Sequence, residues 1–195
     1  MKNSSILKAA IAKDNQLPKP EQVVAILLEK EKQPKKQSDL FSLANLVGNW
    51  NLRFITGTRK TRHRAGVVLG AGRYIPRFIK IQIQYTAEDL SSNTGQVINS
   101  VKLAFLQLSL TGPIKFIPEK KILAFDFTYL KIFLGRFNLY QGYVRDGLKR
   151  NTDFEQQKLK NQAFFKYFLI EDDFIAARGK GGGLALWARE KTDEV

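Results

Sequence analysis

A chain of 195 residues that is 44% hydrophobic and 11% aromatic can bury a sizeable core in one domain with an appendage, which excludes a disordered chain. Its formal net charge of +14, from 32 Lys+Arg against 18 Asp+Glu, implies attraction to anionic partners, nucleic acid and acidic lipid headgroups among them. With no cysteine there is no disulfide framework, thiolate nucleophile or Cys metal site.

At the front, residues 4–14 carry Ile6, Leu7, Ala10 and Ile11, and residues 20–31 carry Val24, Leu27 and Leu28. Both spacings are helical. Pro18 and Pro20 separate two short helices, Pro20 suits a first turn, and Pro34 ends the second, so residues 1–39 read as a helical lead-in and linker. Residues 40–195 read as the main domain, with strands at 46–56, 66–70, 76–87, 96–111, 121–133, 136–144, 163–169, 173–178 and 184–190. Asn93-Thr94-Gly95, Gly112-Pro113, Pro118-Glu119-Lys120, Asp146-Gly147 and Lys180 to Gly183 supply the turns between them. Lys149 to Asn161 is polar apart from Phe154 and Leu159 and reads as a surface loop or one helical turn, the piece expected to be least ordered. No apolar run approaches the ~20 residues of a membrane-spanning helix, so membrane contact is expected to be peripheral.

Alternation is clearest in Ile79-Lys80-Ile81-Gln82-Ile83-Gln84-Tyr85, which has one apolar and one polar face. Around Leu103 to Leu110 and Phe125 to Leu130 both parities are apolar in places, as in strands covered on both sides. Many short alternating strands joined by turns predict a mainly β fold: an antiparallel barrel closed around a lined interior, with short N-terminal helices. Pockets in such barrels are mostly apolar, and one strand parity supplies the expected lining: Ile79, Ile81, Ile83, Tyr85, Phe105, Phe125, Phe127 and Tyr129. A one-residue shift would invert that parity.

Charge is the second signal. From Leu40 to Ala87 there is no Asp or Glu, while Arg53, Arg59, Lys60, Arg62, Arg64, Arg73, Arg77 and Lys80 are all present. Each basic residue near an anionic membrane adds about 1 kcal/mol of attraction, so Arg59, Lys60, Arg62 and Arg64 are the expected headgroup contacts. Nucleic acid is the least favoured anionic partner: the 59–64 run holds no Phe, Tyr or Trp on which bases could stack, and no nucleic-acid motif is present. His63 is the single histidine and stands among cations, a poor metal ligand. Glu171, Asp172 and Asp173 sit together at a turn, and no nucleophile, base and acid form a set, so neither catalysis nor a metal or other cofactor is expected. Asp126, between Phe125 and Phe127, either faces solvent, the favoured reading, or is buried and paired with an arginine. Gly179 to Gly183 lacks the Lys-Ser/Thr and the helix of a phosphate loop and reads as a hairpin turn.

Gly48-Asn49-Trp50 resembles the Gly-x-Trp signature that opens the first strand of lipocalin-like barrels, where the Trp plugs one end. More of the chain, about residues 6–190, resembles the plastid lipid-associated proteins called fibrillins or plastoglobulins. The resemblance rests on the helical lead-in, Leu46 to Leu52, Gln96 to Val101 and, above all, the closing Phe168-Leu169-Ile170-Glu171-Asp172-Asp173-Phe174-Ile175-Ala176-Ala177-Arg178-Gly179. It departs in the extra glycines at 181–183 and the basic 59–64 run. The resemblance implies a lipocalin-like barrel that, without enzymatic activity, binds an isoprenoid or other lipid at a thylakoid or lipid body, from a cyanobacterium or a plastid genome since no transit peptide is evident. It also implies that Gly48, Trp50 and Arg178 close the barrel, with Arg178 over the Trp50 ring in a cation–π contact. Two alternatives stay open: a lipocalin-like bilin lyase or pigment chaperone, whose arginines would pair with pigment propionates, and a lipid-body coat protein whose barrel is filled by its own side chains.

Overall fold

The computed structural model describes residues 2–12, 16–33, 41–57 and 72–190. Among them are helices α1 (Lys2–Ile11), α2 (Pro20–Lys32), α3 (Leu43–Leu46) and α4 (Gly147–Thr152). The strands are β1 (Gly48–Ile55), β2 (Arg73–Tyr74), β3 (Ile79–Asp89), β4 (Thr94–Leu103), β5 (Leu106–Ile117), β6 (Ile122–Phe125), β7 (Tyr129–Leu134), β8 (Phe137–Tyr143), β9 (Ala163–Ile170), β10 (Phe174–Gly179) and β11 (Leu184–Arg189).

Eight of these strands close into an antiparallel barrel in which each pairs with the next: β1, β3, β4, β5, β6, β9, β10, β11, and back to β1. Closure is made by Trp50 opposite Arg189 and Leu52 opposite Trp187. This is the mainly β barrel with short helices that the alternation predicts, and full closure removes the unpaired edges that an open sheet exposes. β2, β7 and β8 lie outside the ring: β2 pairs with the end of β1, β7 with the first half of β5, and β8 with β7.

Alternation sorts the apolar residues into two layers. Trp50, Ile83, Tyr85, Val97, Ile114, Phe116, Leu123, Phe125, Tyr167, Ile175, Ala177, Ala185 and Trp187 form the inner cluster, together with Leu43 and Leu46 from α3. Phe54, Phe174, Ala176, Leu184 and Leu186, from the opposite faces of β1, β10 and β11, pack outward against Leu7, Ala10, Val23, Ile26 and Leu27 of α1 and α2. β10 and β11 are therefore apolar on both parities because both their faces are covered, each buried Leu, Ile or Phe contributing about 1.5–3 kcal/mol. Arg178 fastens α2 to this wall, its guanidinium donating two hydrogen bonds to the Glu31 carboxylate at 2.6 and 2.5 Å.

Three elements differ from the sequence expectation. Residues 96–111 are not one strand: the chain reverses at Ala104-Phe105, with Ala104 at φ 50°, and makes the β4–β5 hairpin. The stretch 121–133 is divided by an irregular segment, residues 126–128, between β6 and β7. Residues 149–161, expected as the least ordered piece, form the end of α4 and two 3-10 turns that bury Phe154, whose carbonyl accepts a hydrogen bond from Gln162 Nε2 at 2.8 Å. The expected strand at 66–70 lies outside the described residues.

Candidate functional site

One end of the barrel is plugged by its own side chains. Trp50 is fully buried and donates its indole N–H to the Leu46 carbonyl at 2.7 Å, which ties the plug helix α3 to β1. Ser42 and Asn45 cap that helix, the Ser42 N–H donating to Asn45 Oδ1 at 2.9 Å. The cation over the Trp50 ring is Arg189, its guanidinium carbon 4.0 Å from the ring centroid. The expectation that Arg178 fills this role is corrected, for a topological reason. Arg178 pairs with Leu184 at the glycine hairpin, whereas Arg189 lies directly opposite Trp50, five residues or about 17 Å further along β11. Arg189 also donates to the Val47 carbonyl at 3.1 Å and the Asp172 carbonyl at 2.6 Å, so it joins plug, first strand and acidic turn. Gly48, at φ +126°, meets this same guanidinium: a Cβ there would lie 2.8 Å from Arg189 Nη1.

Deeper in, the Tyr85 and Tyr167 hydroxyls hydrogen-bond each other at 2.8 Å, and both rings are fully buried. Burial pushes both phenols above the usual tyrosine range, since an ionised phenolate would be stranded among apolar groups. Phe165 stacks on Phe125 at 4.9 Å and meets Trp187 edge-on at 5.3 Å.

The opposite end is built differently. β1 pairs with β3 only over Gln82–Tyr85, and β6 leaves β5 after Ile114, so β3, β4, β5, β7 and β8 continue past the ring as a flared sheet. Residues directly opposite one another share a face. From Ile83, inside the barrel, the register carries the inner face outward through Ile81 opposite Val101, Val101 opposite Leu108 and Leu108 opposite Ile132. One rung inward it runs Ile83, Asn99, Leu110 and Leu130, with Asn99 a polar member, and one rung outward Ile79, Leu103, Leu106 and Leu134. The other face of the same strands carries Lys80, Gln82, Ser100, Lys102, Gln107, Ser109 and Lys131, with Phe133 an apolar member. Apart from Asn99, the flare thus presents an apolar wall continuous with the barrel interior.

This geometry sorts the expected lining residues. Ile83, Tyr85 and Phe125 are in the buried inner cluster, and Phe127 packs against it. Ile79 and Ile81 share their parity but stand on the flare. Phe105 and Tyr129 are corrected. Phe105 is the tip of the β4–β5 hairpin and 78% exposed, because the chain turns where an unbroken strand was expected. Tyr129 pairs with Thr111, on the face opposite to Leu110, and meets Tyr143 edge-on at 5.2 Å. The irregular segment 126–128 inverts the parity between β6 and β7, which puts Leu130 and Ile132 inward instead. Asp126 sits in that break, partly buried and ion-paired with Arg150 of α4, against the favoured solvent-facing reading. The flare residues Val101, Leu108, Leu130 and Ile132 were missed; only the pairing register reveals them.

Beside the flare, where β1 and β3 part, a cleft of about 230 Å³ is lined by Leu52, Arg53, Arg77, Ile79, Lys80, Ile81 and Glu190 among others. Burial, with Arg77 nearby, lowers the Arg53 pKa, and its buried Nε has no hydrogen-bond partner among the described residues. Arg59, Lys60, Arg62, Arg64 and His63 lie outside the described residues. Among the described residues no group of three His, Cys, Asp or Glu is placed to hold a metal, and no helix is long and apolar enough to cross a membrane.

No family model matches the chain, and no curated protein matches it. Among solved structures it is similar to two redesigned β-barrels. One, b11L5F_LGL, is 11% identical at a TM-score of 0.36 over 77% of this chain and 96% of that one. The other, mFAP1 bound to DFHBI, is 10% identical at a TM-score of 0.35 over 76% and 98%.

Proposed function

We propose that this protein holds a lipophilic molecule, without chemistry, against the apolar wall that runs from Ile83 inside the barrel to Ile81, Val101, Leu108, Leu130 and Ile132 on the flare. The observation that carries the proposal is that continuity. One end of the barrel is filled by Trp50, Tyr85, Tyr167 and Trp187, while the inner face at the other end continues past the ring. Covering a Leu or Ile there with a ligand is worth up to about 1.5–3 kcal/mol per side chain, which favours an extended apolar molecule. The resemblance to fibrillins supplies the narrower reading, an isoprenoid or other lipid at a photosynthetic membrane or lipid body. Native mass spectrometry and solvent extraction of protein purified from its own host test the proposal. It expects a co-purifying apolar molecule; a protein that carries nothing there, and takes up no lipid from vesicles, contradicts it and favours the coat-protein alternative.

A second reading, a pigment chaperone for an anionic chromophore, is favoured by one observation: Arg53 and Arg77 line the cleft beside the wall, and guanidinium groups suit propionates. The same extraction separates the two, through a coloured tetrapyrrole in place of a lipid.

A further inference from the structure

We infer that the protein docks on an anionic bilayer through the three loop tips at the outer end of the flare, with Phe78, Phe105 and Phe137 entering the membrane and the flanking basic residues meeting headgroups. The inference deepens the carrier reading and rests on it for what the docked protein does there.

Three large side chains face water where a folded chain has every reason to hide them: Phe78 is 72% exposed, Phe105 78% and Phe137 74%. Each stands at a different chain reversal: Phe78 just before β3, Phe105 between β4 and β5, and Phe137 at the start of β8 after the β7–β8 turn. The pairing nonetheless brings them to one edge. Ile79, next to Phe78, lies opposite Leu103; Leu103 lies opposite Leu106, Leu106 opposite Leu134 and Leu134 opposite Phe137. The Gly135 N–H donates to the Phe105 carbonyl at 2.7 Å, which holds the second and third tips together. The row spans five adjacent strands, about 19 Å. Single exposed apolar residues are ordinary, but three phenylalanines aligned on one edge mark a contact surface.

Charge selects the occupant. The stretches 73–87, 94–117 and 127–145, which make up the flare and its tips, contain no Asp or Glu. They do contain Arg77, Lys102 and Arg136, all exposed and each within three residues of one of the tip phenylalanines. Lys80, further along β3, is ion-paired with Glu190 at 2.6 Å. An apolar row set within cations and free of acids complements a surface with negative headgroups above an apolar layer, and that description fits an anionic bilayer. Docked there, the tips would bring the open end of the apolar wall to the acyl layer, so that a lipophilic molecule could pass between them without crossing water.

Co-sedimentation with vesicles tests this, comparing phosphatidylglycerol mixed into phosphatidylcholine with phosphatidylcholine alone. The chain should partition onto the anionic vesicles and onto the neutral ones far less. The triple variant Phe78→Ser, Phe105→Ser, Phe137→Ser should lose at least about a hundred-fold in partitioning. Lys102→Gln with Arg136→Gln should lose about five-fold per charge removed. Because all these positions are exposed, the melting temperature should stay at the parent value, and binding of a fluorescent polyene fatty acid in vesicle-free solution should be retained. Retained fatty-acid binding with lost vesicle binding supports the tips. Undiminished vesicle binding by the triple variant overturns the inference and leaves the carrier reading standing. Lost fatty-acid binding in the parent contradicts the carrier reading and leaves docking intact. Self-association that disappears in the triple variant, without vesicle binding by the parent, would show that the tips meet a second copy of the chain, and would also overturn it.

Discussion

At the residue scale the plugged end depends on Arg189, Trp50 and the tyrosine pair. Arg189 stacks on Trp50 and donates to three carbonyls, those of Asn45 and Val47 at the plug helix and that of Asp172 at the acidic turn. Arg189→Ala should therefore lower unfolding stability by about 1–3 kcal/mol and change the near-ultraviolet circular dichroism of Trp50. Arg178→Ala should loosen α2 and leave that signal unchanged, which a paired comparison of melting and spectra would show. Tyr167→Phe leaves the buried Tyr85 hydroxyl without its partner and should cost about 1–3 kcal/mol in denaturant unfolding. The pH dependence has a definite sign. Both phenols have folded pKa values above the unfolded one, so their contribution is complete below about pH 10 and is lost as pH rises beyond it. Spectrophotometric titration should find that two of the six tyrosines ionise only as the protein unfolds. Glu190 acts at the other extreme: the hydrogen bond from Lys80 holds its carboxyl below the usual range, so its contribution is present above about pH 4.3 and fades as pH falls.

At the element scale, α1 and α2 are held by an apolar layer and one ion pair. Leu27→Ala should cost about 2–5 kcal/mol, because the fully buried side chain belongs to the layer between α2 and the barrel. Which elements could be read in advance follows from where their cause resides. The 79–85 strand, the turn glycines at 179–183 and both lead-in helices were legible, since their signals lie within a few residues. The β4–β5 hairpin was not: Ala104-Phe105 offers neither Gly, Asn nor Pro, and Ala104 adopts φ 50° only because the full ladder on either side imposes it. The break at 126–128 was equally hidden. It is held by Asp126 with Arg150 and by the Thr128 carbonyl, which accepts from the Val144 N–H at 2.9 Å, and those partners are distant in sequence. Missing it inverted the parity of β7, which is why Tyr129 took the place that belongs to Leu130 and Ile132. Arg189 was missed for a related reason, as only the β1–β11 register sets it over Trp50.

At the scale of the whole molecule the two ends of the barrel divide the labour. One is filled and cross-linked by aromatic packing, a plug helix and hydrogen bonds; the other flares into a sheet with a largely apolar inner wall, a mixed outer face and an aromatic, basic rim. A barrel that is merely packed has no use for leucines and isoleucines extending beyond its last closing rung, since each exposed one forgoes burial energy and invites aggregation. The proposed ligand, which would cover them, accounts for their position. The most direct measurement is a fluorescence titration of the chain and of Leu108→Asp and Ile132→Asp with a fluorescent polyene fatty acid. The account predicts saturable binding by the parent and at least a ten-fold weaker affinity in each variant, with melting showing both still folded. Parent-like affinity in folded Leu108→Asp and Ile132→Asp would contradict it.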